Sequence, residues 1–158
     1  MLRTVLLSLH IAVGSLGLVA GPAAMLLPKR RGWHTRLGLV YQGLLAVLCL
    51  SAFGLVAIDP SVWWLAVIGA ATWSAALAGW WVRRRRVPGW LPLHVSFMCG
   101  SYVAFVTAFL VNTWGSPLSW ILPTVIGSPL IAWAAARVGS AERPTRRPLP
   151  GSASPTSG

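Results

Sequence analysis

The sequence predicts an all-α integral membrane bundle of about five transmembrane helices, and three observations lead to this fold class. Of the 158 residues, 56% are hydrophobic and only 9% are charged, whereas soluble domains carry about 25% charged residues. A chain this short exposes much of its surface, so a large buried core does not explain the missing charge. The apolar residues fall into five long stretches, and the basic residues cluster between them.

The five apolar stretches define a predicted membrane domain that covers residues 1–138. An α-helix needs about 20 apolar residues to cross about 30 Å of hydrocarbon. The first run is also too long for the core of a signal peptide, roughly 7–15 residues, so we expect it to stay in the membrane. The predicted spans are residues 4–27, 37–58, 62–82, 90–111 and 120–136.

The fifth stretch is the shortest, and it contains Pro123 and Pro129. Proline is tolerated in membrane helices where neighbouring groups satisfy the freed backbone. We therefore predict that this stretch spans as a kinked helix, the alternative being a segment that dips into the bilayer and returns. Residues 139–158 are rich in Ser, Pro, Gly and Arg, a composition that predicts a disordered cytoplasmic tail.

The basic residues predict the orientation. Apart from Arg3, every Lys and Arg lies between spans one and two, between spans three and four, or after span five. The positive-inside rule then places the N-terminus outside and the C-terminus in the cytoplasm, in the cell membrane. Tryptophans near both ends of the spans match the expected aromatic belts. The run Arg83, Arg84, Arg85 and Arg86 is an orientation signal that attracts anionic headgroups by roughly 1 kcal/mol per residue.

The net charge of +11 does not indicate a nucleic-acid partner. The basic residues form short clusters between apolar stretches rather than the basic face that a nucleic-acid binder presents. The expected partner is the lipid bilayer, with other membrane subunits as a further candidate. Cys49 and Cys99 each lie inside an apolar stretch and are not paired in a metal or redox motif, so we interpret them as packing residues.

His10 is the only ionisable side chain inside the first span, where a polar group must face protein or water. Gly14, Gly17 and Gly21 follow on the same helical face, and small residues let another helix approach closely. We therefore predict that His10 points into the bundle. It is either a neutral histidine bonded to a neighbouring carbonyl or hydroxyl, or a ligand, proton-transfer or substrate-contact group.

The fourth span carries a polar face that begins at His94, about one turn from its cytoplasmic end. Ser101 and Asn112 continue this face, and Tyr102 lies beside it. A membrane helix does not present such a face to lipid. The face therefore lines a pocket, or it serves as a polar contact between helices.

His34 lies in the basic loop before the second span, and Tyr41 follows two turns later. By the predicted topology His34 and His94 both fall at the cytoplasmic edge, so they are the candidate pair for a metal or a haem, or for contact with a quinone or other substrate. The alternative for His34 is an interfacial position among lipid headgroups. His10 lies nearer the outer side, which disfavours a single haem bridging it to His94. No span contains a carboxylate, so any catalysis would rest on histidine, tyrosine and backbone polarity.

The three histidines lie in the segments Leu9–Gly21, Gly32–Tyr41 and His94–Asn112. In these segments the chain resembles a family of small bacterial multi-pass membrane proteins defined only as a domain of unknown function, of the DUF2306 type, over about its first 135 residues. That family often has arginine directly after the histidine that matches His34, whereas here Thr35 intervenes before Arg36. The resemblance implies a helical membrane fold with three marked histidines and supplies no established reaction.

Three functions are compatible with these features. The first is a membrane redox protein or oxidoreductase that acts with haem, a metal, a quinone or a hydrophobic substrate. The second is a non-catalytic accessory or assembly subunit of a larger membrane complex, and the third is a small-solute transporter, which the lack of an inverted repeat weakens. For the first, the candidate ligand or substrate-contact residues are His10, His34, His94, Tyr41, Tyr102 and Asn112.

Overall fold

The structure, a computed structural model, describes residues 1–28 and 32–142, and these residues form five long α-helices and no strand. Each helix is long and apolar enough to cross a membrane, which confirms the predicted all-α membrane bundle. The chain is therefore a multi-pass membrane protein. The helices are α1 (Leu2–Leu26), α2 (Trp33–Ile58), α3 (Trp63–Arg85), α4 (Trp90–Trp114) and α5 (Leu118–Glu142).

The fifth helix is continuous through both of its prolines, Pro123 and Pro129. Because it also meets the length and hydropathy of a membrane span, it does not turn back as a re-entrant segment. The predicted disordered tail begins at residue 139, but residues 139–142 form the last turn of α5. The rest of the predicted tail, residues 143–158, and the basic residues 29–31 lie outside the described residues.

Consecutive helices pack in antiparallel order. Near the start of α1, Leu6 lies against Gly54 near the end of α2, and the Cys49 thiol of α2 donates to the Gly69 carbonyl of α3, 3.3 Å away. Arg83–Arg86 and Asp59 consequently lie at opposite ends of the bundle. We call these the arginine end and the aspartate end; the positive-inside rule predicts that the arginine end is cytoplasmic.

The glycine face of α1 closes the first four helices into one bundle. Gly14, Gly17 and Gly21 are all buried. A Cβ atom on Gly17 would lie 3.0 Å from the Phe105 ring, and one on Gly21 would overlap the Tyr102 ring. Both rings belong to α4, so α1 packs against α4 as well as α2 because these positions lack side chains.

α5 lies at the edge of the bundle. Only 6% of its spanning window is buried, against 28% for α2, so α2 is the most buried helix and α5 faces mainly outward. α5 packs along α4, where a Cβ atom on Gly127 would overlap Val103. An apolar groove of about 420 Å³ runs between the two helices beside Met25.

Tryptophans and arginines pair at the arginine end. Among the described residues, five guanidinium groups lie over indole rings, with 5.1 to 5.9 Å between the guanidinium carbon and the ring centroid. In four of the pairs the partners lie three or four residues apart in one helix, the spacing at which helical side chains meet. In the fifth pair, Arg86 and Trp90 meet across the turn between α3 and α4. Each arginine is thus held at the level of an interfacial tryptophan. The pairs are Arg36–Trp33, Arg84–Trp80, Arg85–Trp81, Arg86–Trp90 and Arg137–Trp133.

Asp59 caps the short connection between α2 and α3, a single 3₁₀ turn at Pro60–Val62. Its carboxylate accepts from the Ser61 hydroxyl at 2.6 Å and from the Ser61 amide at 3.2 Å. These two hydrogen bonds hold the pKa of the Asp59 carboxyl below its ordinary value. Asp59 therefore carries a stable negative charge in a tight turn at the aspartate end, where Arg3 also lies.

Candidate functional site

Each of the three histidines uses its Nδ1 atom to bond a neighbouring helix. A carbonyl oxygen only accepts, so where the partner is a carbonyl Nδ1 must carry the proton. All three side chains thereby join two helices, whatever else they do. The contacts are His10 Nδ1 to Ser51 Oγ of α2 at 3.0 Å, His34 Nδ1 to the Ala24 carbonyl of α1 at 2.8 Å, and His94 Nδ1 to the Gly79 carbonyl of α3 at 2.8 Å.

The candidate metal pair, His34 and His94, bonds in two different directions. His34 donates to α1 and His94 donates to α3. Within residues 1–28 and 32–142, no group of three or more His, Cys, Asp or Glu side chains is arranged to hold a metal ion. No third His, Cys, Asp or Glu of the described residues joins this pair, so the metal site stays a prediction that rests on two histidines.

His10 lines a cavity of about 500 Å³ between the first four helices. Every one of these helices supplies part of the wall, for example Leu45 of α2, Thr72 of α3 and Phe105 of α4. Pockets that bind small organic molecules commonly measure about 300–1,000 Å³. The volume is therefore sufficient for a compact ligand.

The cavity occupies the half of the bundle nearer the aspartate end. At 1.5 Å per residue, His10 lies about 12 Å from the start of α1, and Thr72 lies about 14 Å from the start of α3. Asn112 and Thr113, near the last turn of α4, also line the cavity. The cavity thus extends from the middle of the spanning region toward one membrane surface.

The walls are mainly apolar, and few polar groups reach the deep part of the cavity. The Thr72 side chain is only 4% exposed, and its hydroxyl has no hydrogen-bond partner among the described residues. A buried hydroxyl without a partner costs about 1–3 kcal/mol. Asn112, by contrast, is exposed, and its amide donates to the Ala108 carbonyl at 2.8 Å. The Thr72 oxygen is therefore buried behind the wall, and His10 is the polar group at depth that lines the cavity.

A second polar cluster lies at the centre of the bundle, between the cavity and the histidines of the arginine end. Tyr41 is 3% exposed, and its hydroxyl is 3.5 Å from the Ser101 hydroxyl. The Tyr102 ring lies 6.5 Å from the Tyr41 ring, and its own hydroxyl donates to the Leu18 carbonyl at 3.0 Å. These side chains chiefly link α1, α2 and α4.

The candidate residues thus separate into three places. His10 and Asn112 share the cavity, Tyr41 and Tyr102 form the central cluster, and His34 and His94 lie toward the arginine end. Sequence reasoning missed Thr72, which lines the cavity, and Ser51, the partner of His10. It also assigned no contact to Gln42, whose amide donates to the Ala76 carbonyl at 2.7 Å. A signal existed for Ser51, because it is the only hydroxyl-bearing residue in positions 43–58.

The chain is thus a multi-pass membrane protein with a largely apolar cavity between its first four helices. No protein-family model matches the chain, and neither a curated protein nor a solved structure matches it.

Proposed function

We propose that this chain is a membrane-embedded binding protein for a hydrophobic small molecule, with a lipid-soluble quinone or a compound of similar chemistry as the ligand. An oxidoreductase role, acting on that ligand, is the activity that this chemistry favours. The single observation that carries the proposal is the cavity of about 500 Å³ between α1–α4, with His10 in its wall.

The character of the wall supports a ligand of this class. An apolar pocket with a few convergent polar groups binds molecules that are mostly hydrocarbon and carry one or two hydrogen-bonding atoms. No acidic or basic side chain other than His10 lines the cavity, so an ionic solute would lose its hydration without a compensating charge. A ring with oxygen substituents on an apolar body fits both conditions.

Photo-crosslinking tests this proposal directly. The protein in lipid nanodiscs is irradiated with an alkyl-naphthoquinone that carries a diazirine in its tail, and the labelled peptides are mapped by mass spectrometry. We expect labels on cavity residues of α1–α4 that excess unlabelled quinone removes. Comparable labelling of the outward face of α5, which competitor does not reduce, would contradict the proposal.

A matched pair of substitutions locates the binding site. Ala108 lines the cavity, whereas Ala71 is exposed on the outside of α3, so the same added ring has different consequences at the two positions. We expect Ala108→Phe to abolish the competed label by filling the cavity, and Ala71→Phe to leave it unchanged. Equal labelling of the two variants would show that the quinone binds elsewhere.

A haem or metal version of the oxidoreductase remains a separate proposal, based on His34 and His94. It predicts a Soret band, or a stoichiometric metal, in detergent-purified protein, and the loss of either signal in His34→Ala and His94→Ala. Protein that lacks both signals when purified from cells supplied with haem and iron would exclude this version. The quinone proposal does not depend on that result.

One observation favours the second candidate function, an accessory subunit of a larger membrane complex. Each histidine already joins two helices through Nδ1, which is sufficient reason for a histidine in a purely structural role. This function predicts co-purification with a stoichiometric membrane partner after mild solubilisation. It also predicts that Ala108→Phe, which fills the cavity, leaves that association intact.

A further inference from the structure

We infer that the cavity selects a ligand that donates a hydroxyl proton, so that it prefers the hydroquinone form of a quinone over the oxidised form. This inference rests on the proposed function, because it specifies the chemistry of the ligand in the same cavity. The preference for an O–H group follows from which ring nitrogen of His10 carries the proton. The hydrogen bonds around Ser51 indicate that this nitrogen is Nδ1.

The Ser51 hydroxyl has one proton, and that proton is committed to the backbone. Ser51 Oγ lies 2.8 Å from the Leu48 carbonyl oxygen, and since a carbonyl cannot donate, the serine must. The 3.0 Å contact between Ser51 Oγ and His10 Nδ1 then needs its proton from the ring. His10 is consequently held in the tautomer that carries hydrogen on Nδ1.

The opposite ring nitrogen of His10 is then an acceptor. In a neutral imidazole with hydrogen on Nδ1, the Nε2 atom has a lone pair and no proton. A charged ring is disfavoured, because an ion in a membrane span is costly without a counter-ion, and no carboxylate lies in any of the five helices before Glu142. Toward a ligand, therefore, His10 offers a lone pair rather than an N–H group.

A hydroquinone donates one ring O–H to this nitrogen and so forms a hydrogen bond with His10. An oxidised quinone has only acceptor oxygens, so its lone pairs meet the lone pair of His10 and no hydrogen bond forms. The Thr72 hydroxyl adds no second contact, because its oxygen is buried behind the surface of the wall.

The shared chemistry is an O–H group on an apolar molecule, and two kinds of molecule supply it. One is the ring hydroxyl of a hydroquinone, and the other is the hydroxyl of an aliphatic membrane alcohol. Both donate to His10 Nε2, and they differ in shape. Competition between defined compounds distinguishes these sources.

The test measures how strongly four compounds compete with the diazirine label under anaerobic conditions. They are a short-chain naphthohydroquinone, the corresponding quinone, the dimethyl ether of the hydroquinone, and farnesol. We expect the hydroquinone to compete at about tenfold lower concentration than its dimethyl ether, the ratio that one hydrogen bond of ordinary net strength supplies. Farnesol that competes as well as the hydroquinone would identify a membrane alcohol as the ligand and would also support selection for an O–H group.

His10→Phe provides the decisive variant, because it keeps an aromatic ring in the wall of the cavity and removes the acceptor nitrogen. The hydroquinone and its dimethyl ether should then compete almost equally. Equal competition by the hydroquinone and its dimethyl ether in the wild-type protein would overturn this inference while leaving cavity binding intact. Absence of any competed label in the cavity would instead overturn the proposed function, so the two failures are distinguishable.

Discussion

Gly21 determines how closely α1 approaches α4. The Tyr102 ring occupies the space where a Cβ atom on Gly21 would lie, and its hydroxyl bonds the Leu18 carbonyl on the preceding turn of α1. The contact between the Tyr102 ring and α1 therefore depends on the absence of a Cβ atom at Gly21. The same close packing helps to bring His10 into the wall of the cavity rather than toward lipid.

Gly21→Ala should therefore lower the free energy of unfolding by about 1–3 kcal/mol, the usual cost of adding a methyl group to a packed interface. Gly38→Ala is the matched control, because Gly38 lies within α2 and has no atom within 4 Å of an added Cβ. The measurement is unfolding by SDS in mixed micelles, followed by circular dichroism. If the two variants unfolded at the same SDS fraction, the described contact between α1 and α4 would be wrong.

Residue by residue, the sequence predicts positions on a helix better than it predicts partners. The spacing of His10 from Gly14, Gly17 and Gly21 is enough to predict an inward-facing histidine, because helical periodicity is local. Its partner Ser51 lies 41 residues away, and Thr72 lies on a third helix. Nothing in local periodicity specifies which face of α2 or α3 turns toward α1, so the polar side of the cavity becomes visible only once the helices are packed.

At the scale of helices, length and hydropathy are sufficient to predict the five spans, because lipid requires every backbone group to be satisfied within the segment. The helix ends are less predictable. α2 begins at Trp33 and α3 continues to Arg85, so both helices extend beyond the predicted apolar spans. The added residues include tryptophans and arginines, which are too polar to count in an apolar stretch but still adopt the helical conformation. Pro123 and Pro129 left the fifth stretch open to two interpretations, yet α5 is continuous.

The packing of α5 on α4 has its own test. A Cβ atom on Gly127 would overlap Val103, so Gly127→Ala should destabilise the protein by about 1–3 kcal/mol. Val103→Ala removes the overlapping methyl groups, and we expect the double variant to recover most of that loss. Unfolding by SDS of the wild type, both single variants and the double variant gives the coupling energy. Strictly additive effects would mean that Gly127 and Val103 do not touch.

For the whole molecule, the arrangement of charges and aromatic rings determines how the bundle sits in lipid. The arginine end carries the five arginine–tryptophan pairs, whereas the aspartate end holds Asp59 and the paired rings of Trp64 and Trp120, 5.4 Å apart. The positive-inside rule predicts an orientation in which the cavity lies toward the outer leaflet. In that orientation we expect a ligand of the proposed class to enter from the outer leaflet or the outer surface.

The orientation of the five-helix bundle is tested most directly by labelling cysteines that are introduced one at a time, in intact cells. The side of the membrane on which the cavity lies and the number of spans both follow from that orientation. Ser61→Cys and Ser116→Cys lie in the two connections at the aspartate end, and Val87→Cys lies in a connection at the arginine end. Wild-type protein, with Cys49 and Cys99, gives the background. We predict that a membrane-impermeant maleimide labels residues 61 and 116 in intact cells and labels residue 87 only after permeabilisation. Labelling of residue 87 in intact cells, with residues 61 and 116 protected, would contradict the predicted orientation, and equal labelling of all three would contradict the membrane bundle itself.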